Sequence, residues 1–186
     1  MTTDMREKIM NAGRRMVQAH GYSGLSFREL AKEVGVKSAS IHYHFPAKGD
    51  LGAALARRYT EDGIAYFNAV LDAPGDPASR LRDYTAVYRA ALTSENRMCM
   101  VGFMAAEYDE LPPEVRAEVD RFTDANVEFL MNALPKVPRV KADDLRARAI
   151  AVYAAVTGAQ LIARGRGDIG VFDASIDAYR ASGFIP

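Results

Sequence analysis

Three histidines (His20, His42, His44), a lone cysteine (Cys99) and the string Gly165-Arg-Gly-Asp-Ile-Gly170 are the features of this 186-residue chain that could hold a metal, attack an electrophile or cradle a phosphate. His42 and His44 are two apart, so a helix points them to nearly opposite sides, and no cysteine or carboxylate pair completes a ligand set; no metal is expected. The glycine string spells a dinucleotide fingerprint, which requires a strand before it, a helix after it and an acid about 20 positions on. Here it follows a helical pattern with only sixteen residues to come, and a loop between the last two helices is the expected reading. Cys99 sits near Arg97 and a helix start, where a thiol can become reactive, but a free cysteine is more often a small buried apolar residue. The latter reading makes it dispensable. No nucleophile has a base beside it in the sequence pattern and no acid–base pair stands out, so neither an enzyme nor a cofactor is expected.

What remains is the distribution of charge. The chain has 24 basic and 24 acidic residues and no formal net charge, yet residues 1–50 carry eight Lys or Arg against five acids, and the other 136 reverse that excess of three. A basic head precedes an acidic body, the arrangement that phosphate neutralisation requires. Apolar residues are 49% of the chain, enough for a sizeable core. One unpaired cysteine and a start without the apolar segment of a signal peptide point to the cytoplasm.

The elements that must position those charges read as helices throughout, about nine of them: apolar residues recur at three and four, with Pro and Gly clusters between runs. A first helix from about Thr3 to His20 buries Ile9, Ala12, Met16 and Val17 and ends at Gly21. Ser26 and Glu29 spell a reciprocal capping box opening a second helix that carries Phe27, Leu30, Ala31 and Val34 and stops at Gly35. A third starts near Lys37 or Ser38 and cannot pass Pro46. Two short helices joined by a tight glycine turn fit the helix-turn-helix arrangement, whose second helix enters the DNA major groove, and equally an ordinary helical hairpin that touches no DNA; the basic head favours the former.

The stretch Ser26-Phe-Arg-Glu-Leu-Ala-Lys-Glu-Val-Gly-Val-Lys-Ser-Ala-Ser-Ile-His-Tyr-His-Phe-Pro-Ala-Lys-Gly-Asp-Leu51 resembles the DNA-binding segment of tetracycline-repressor (TetR) family transcriptional regulators. The resemblance covers about residues 5–55, with one departure: His42 stands where the family usually has Tyr, and Tyr43 follows it. It implies a three-helix DNA-binding head, residues 1–47, and a helical ligand-binding and dimerisation body, residues 48–186. Ser26 and Arg28 would meet phosphate at a helix start, Ser38, Ala39, Ser40 and His42 would face base edges, and Tyr43 and Lys48 would bind phosphate, with Lys37 beside them. The implied function is a repressor released from a palindromic double-stranded DNA operator by a small-molecule effector. The alternative is a helical small-molecule-binding or scaffold protein that no longer binds DNA.

In the body, a long helix after Pro46 ends at the breaker string Asp72-Ala-Pro-Gly-Asp-Pro77, Asp76 and Pro77 open the next, and Pro112-Pro113 opens another that breaks at Leu134 to Pro138. Aromatic and methionine residues on inward stripes suggest an apolar effector pocket enclosed by Tyr84, Tyr88, Phe103, Met104, Glu107, Phe122, Asn126, Phe129 and Tyr153. Asn126 is its discriminating residue, because a buried amide must bond to something. From Ala149 to Ala163 only Thr157 and Gln160 are polar. At about 15 residues that helix is too short for a bilayer, and it should be buried between protein surfaces on several sides. Its small residues Ala151, Ala155, Gly158 and Ala159, with Phe172, Ile176 and Tyr179 of a last helix near Phe172 to Ser182, are the expected homodimer interface.

Overall fold

Local caps mark the ends of several helices of this chain. The structure, a computed structural model, describes residues 2–135 and 141–186. Among them are α1 (Thr2–His20), α2 (Phe27–Val34), α3 (Ser38–His44), α4 (Lys48–Asp72), α5 (Pro77–Thr93), α6 (Met100–Ala105), a 3-10 turn (Tyr108–Glu110), α7 (Pro113–Ala133), α8 (Ala142–Arg166) and α9 (Ile169–Ala181), with no strand. The fold is all-α, as the periodicity requires. Residues 136–138 of the expected Leu134–Pro138 break lie outside the described residues.

Ser26 caps α2: its Oγ accepts from the Glu29 amide at 3.4 Å. The reciprocal half of the expected capping box does not form. The Glu29 carboxylate instead pairs with Lys32 Nζ at 2.9 Å and Arg28 Nε at 3.2 Å, and the Ser26 amide donates to Met16 Sδ at 3.5 Å. Cationic donors one turn away and next door outcompete a neutral amide for a carboxylate. Gly35 ends α2 in the left-handed region, φ 76°, which a side chain would strain. Asp76 caps α5 through the Ser79 amide at 2.7 Å, with Pro77 in the first turn. The expected Gly165–Gly170 loop shrinks to a two-residue link. Helix α8 runs on through Arg166, and α9 starts at Ile169, three residues before Phe172, because Asp168 Oδ1 accepts from the Gly170 amide at 2.8 Å.

The chain forms two compact units, residues 1–61 with 99–122 and residues 62–98 with 123–186. In the first, Ile9, Ala12, Val17, Leu30, Ile41, Phe45, Leu51 and Leu55 are buried together with Met100, Met104, Leu111 and Val115. Each large aliphatic side chain so buried contributes about 1.5–3 kcal/mol, offset by ordering entropy. Ion pairs tie α4 to other parts of this unit, Arg58 to Glu7 at 2.6 Å and Arg57 to Glu118 at 2.7 Å.

The second unit centres on aromatic stacking, with Phe67 and Phe129 centroids 4.5 Å apart and Tyr84 5.4 Å from Phe129. Helix α8 buries Ala149, Val152, Val156, Ala159, Gln160 and Ala163. Its opposite face is open: Ile150, Leu161 and Ile162 are 47%, 56% and 55% exposed. The helix expected to be enclosed on several sides thus has one inner and one outer apolar face within the monomer.

Candidate nucleic-acid interface and effector core

Helix α3 is anchored by Ile41 and Phe45, both buried, with the Arg6 guanidinium 5.1 Å from the Phe45 ring centre. That anchoring turns the polar residues outward. Lys37, Ser38, Ala39, His42 and Tyr43 are exposed, Ser40 is half-buried, and Tyr43 is 77% exposed, unusual for so large a ring. Arg28 is exposed beside half-buried Ser26 at the start of α2, where free amides and the helix dipole favour an anion. Every residue expected to touch DNA except Ser26, Ser40 and Lys48 therefore stands fully at the surface.

The His42 ring is oriented from two sides. Its Nδ1 lies 3.2 Å from the Pro46 carbonyl oxygen, and its ring meets Phe27 edge-on at 4.9 Å. Lys48 is half-buried: Nζ donates to the Ser23 carbonyl at 3.3 Å and sits 4.5 Å from the Tyr22 ring centre. Burial pushes its pKa below the usual lysine range, against the attraction of Glu107 and Glu110.

Glu107 holds the turn that Lys48 leans on. Its carboxylate accepts from the Tyr22 amide and, at 3.2 Å, from the Ser23 amide. Glu107, expected beside an effector, is thus engaged by two backbone donors that would otherwise lack partners. Gly21 is required beside it, because its φ is 75° and a Cβ would run into that carboxylate. In the sequence Gly21 reads only as a helix stop, with no signal for the carboxylate packed against it.

The sequence profile of the bacterial regulatory proteins of the tetR family matches residues 9–55, the stretch that contains α2, α3 and the start of α4. A solved TetR transcriptional regulator from Legionella pneumophila superposes with a TM-score of 0.88 at 26% identity, over 97% of this chain and 96% of that one. Residues 9–55 are thus a tetR-family DNA-binding segment, and the fold of the described residues is that of a solved TetR regulator. Among curated relatives, the HTH-type transcriptional regulator LmrA of Bacillus subtilis is 31% identical over 110 residues, 56% of this chain and 57% of that protein. The HTH-type transcriptional repressor DhaR of a Mycobacterium species is 26% identical over 120 residues, 64% and 60% of the respective lengths. The match thus spans somewhat over half the length of these curated relatives.

The residues expected around an effector fall into both units. In the second, Asn126 Oδ1 accepts from the hydroxyls of Tyr84 at 3.1 Å and Tyr88 at 3.0 Å, and the two tyrosine oxygens are 3.1 Å apart. Gln160 Nε2 donates to the Tyr88 carbonyl at 2.8 Å. All four side chains are buried, as is Phe129, while Tyr153 is half-buried. In the first unit Met104 and Phe122 are buried in the core and Phe103 is half-buried. A surface groove of about 400 Å³ on the second unit is lined instead by Arg82, Arg89, Phe172, Asp173, Ile176 and Arg180 among others, none of the nine. Its charges are largely engaged with one another: Arg89 forks onto Asp173 at 2.8 and 2.9 Å, and Arg180 donates to Thr85 at 3.2 Å and Asp177 at 3.4 Å.

Of the residues expected between protomers, Ala159, Phe172 and Ile176 are buried inside the monomer. They face inward because Phe172 and Ile176 are one turn apart on the inner side of α9 and Ala159 is on the inner stripe of α8. Ala151 is exposed, Ala155, Gly158 and Tyr179 are half-buried, and the space beside Gly158 is open. Cys99 is buried at the start of α6, and burial pushes its thiol pKa up, which leaves it a poor nucleophile. Among the described residues no helix is long and apolar enough to cross a membrane.

Proposed function

We propose that this chain is a DNA-binding transcriptional repressor of the cytoplasm, acting as a homodimer on a two-fold operator and released by a small-molecule effector. The observation that carries the reading is the outward polar face of α3, held by Ile41 and Phe45 behind the tight Gly35 turn. In this reading α3 lies in the major groove, Ser38, Ala39, Ser40 and His42 face bases, and Ser26, Arg28, Lys37, Tyr43 and Lys48 meet phosphates. Residues 1–47 are then the DNA-binding part and 48–186 the part that dimerises and answers the effector.

The outer apolar face of α8, with Ala151, Gly158, Leu161 and Ile162, supports a second copy as its cover, since a contiguous exposed apolar patch marks an interaction surface. Gly158→Glu is expected to give monomers in sedimentation, and a well-folded Gly158→Glu dimer would move the interface elsewhere. The Tyr84–Tyr88–Asn126 cluster, with Gln160 bonded to the Tyr88 carbonyl, is a polar point in a mostly apolar core, and an effector that replaced its hydrogen bonds could shift operator affinity by the usual coupling of about 1–3 kcal/mol.

The deciding experiment is binding of the full chain to duplex DNA from its own promoter region over a salt series without effector. Salt-sensitive binding is expected. Lys48→Ala should weaken it for all sequences and lower the slope of log-affinity against log-salt by about one for each phosphate that is no longer neutralised. Absence of such binding would leave the scaffold reading.

A further inference from the structure

We infer that His42 fixes one base of the operator by accepting a hydrogen bond, through Nε2, from an exocyclic amine in the major groove, either N4 of cytosine or N6 of adenine. This rests on the DNA-binding reading above and adds the polarity of one contact to it. The position of a single proton decides that polarity. A backbone carbonyl only accepts, so the contact of His42 Nδ1 with the Pro46 oxygen at 3.2 Å places the ring proton on Nδ1. With that proton on Nδ1, the neutral imidazole has no second N–H and Nε2 keeps a bare lone pair, the form we assign to the DNA-bound ring. The two nitrogens lie on opposite sides of the ring, so with Nδ1 turned to Pro46 and the ring braced edge-on by Phe27 at 4.9 Å, Nε2 is directed away from the loop. His42 as a whole is exposed.

The neighbouring candidates for base contact lack this fixed polarity. Hydroxyls such as those of Ser38 and Ser40 rotate to donate or accept, and Ala39 offers only a methyl group. Cytosine and adenine present amine donors in the major groove, whereas guanine presents O6 and N7 and thymine presents O4, all acceptors. A bare Nε2 therefore attracts the first pair and repels the second. A tyrosine at this position would carry a rotatable hydroxyl and impose no such sign, so the His42 departure from the family pattern converts a permissive contact into a selective one.

The test uses the full chain and operators selected from a randomised palindromic duplex pool, followed by competition among the four bases at each pair. One pair should favour cytosine or adenine about three- to tenfold, the worth of a single net hydrogen bond. His42→Ala should flatten the preference at that pair alone, and His42→Lys, a pure donor, should turn it toward guanine. Purine in place of adenine, or 2-pyrimidinone in place of cytosine, deletes the amine and should cost the same factor, which tells the two bases apart. A preference for guanine or thymine at the pair His42→Ala affects overturns the inference, as does retained binding with every preference unchanged in that variant. If the wild-type chain retains no duplex at low salt, the repressor reading itself fails.

Discussion

The recognition end and the core of the second unit handle the same kinds of polar group in opposite ways. Around α3, exposed Ser38, His42 and Tyr43 point outward while apolar Ile41 and Phe45 hold the helix. Around Asn126, two tyrosine hydroxyls and an amide are buried and consume one another. Outward polar groups cost the fold little, because water satisfies them until a partner arrives. Inward ones must be matched within the chain, since each orphan costs about 1–3 kcal/mol. The first region is thus free to vary with its partner, and the second can change only as a set.

The sharpest way to break this contrast is Asn126→Leu, which leaves the hydroxyls of both Tyr84 and Tyr88 without that acceptor. Urea unfolding should show a loss of about 2–4 kcal/mol, with operator affinity kept wherever the protein remains folded. A near-neutral result would mean that the core reorganises freely and is a ready-made effector site. Next in size is Glu107→Ala, which belongs to the recognition end but strips two backbone donors, one of them, Tyr22, nearly buried. It should cost about 1–3 kcal/mol and also loosen the support of Lys48, so stability and the salt slope of DNA binding should fall together. An unchanged salt slope would separate the turn from phosphate binding.

The smallest effect belongs to the surface of the second unit. Hydrogen bonding to Arg89 holds the Asp173 carboxyl below the usual aspartate range. A depressed acid contributes stability that is present above its unfolded-state pKa of about 3.9 and is lost as pH falls through the folded-state value. Both side chains are substantially exposed, 47% and 40%, so screening keeps the contribution small. Asp173→Asn should be slightly less stable than wild type near neutral pH at low salt, with the difference vanishing in acid or high salt. A difference that persisted in acid would have another cause.

Features that depend on residues a few positions apart are legible in the sequence. Ser26, Gly35, Asp76 and Pro77 mark helix ends as their chemistry demands. Glu29 misleads because it can reach back to the Ser26 amide or across to Arg28 and Lys32, and spacing alone does not rank a neutral donor against charged ones. Asp168 reads as part of a loop because the glycines around it mask a helix cap. The two faces of α8 are illegible because both are apolar, and only packing against neighbours decides which is covered. The Glu107 contact leaves no trace because backbone amides, which every residue but proline carries, have no sequence signature. The motif nominates the residues expected to face DNA, while the orientation of His42 needs Phe27 and the Pro46 carbonyl in place.

The bond between Tyr22 and Glu107 spans 85 residues of chain. A ribosome delivers about 5–20 residues per second, so the turn after α1 leaves the exit tunnel about 4–17 s before the carboxylate that completes it. Helices α1 to α3 must therefore wait, with those two amides open to water, until residues 99–122 arrive to close the unit to which they belong. A chain truncated before α6 would carry every residue of the recognition surface and still lack the piece that sets its first turn, so synthesis itself orders the steps by which this head becomes competent.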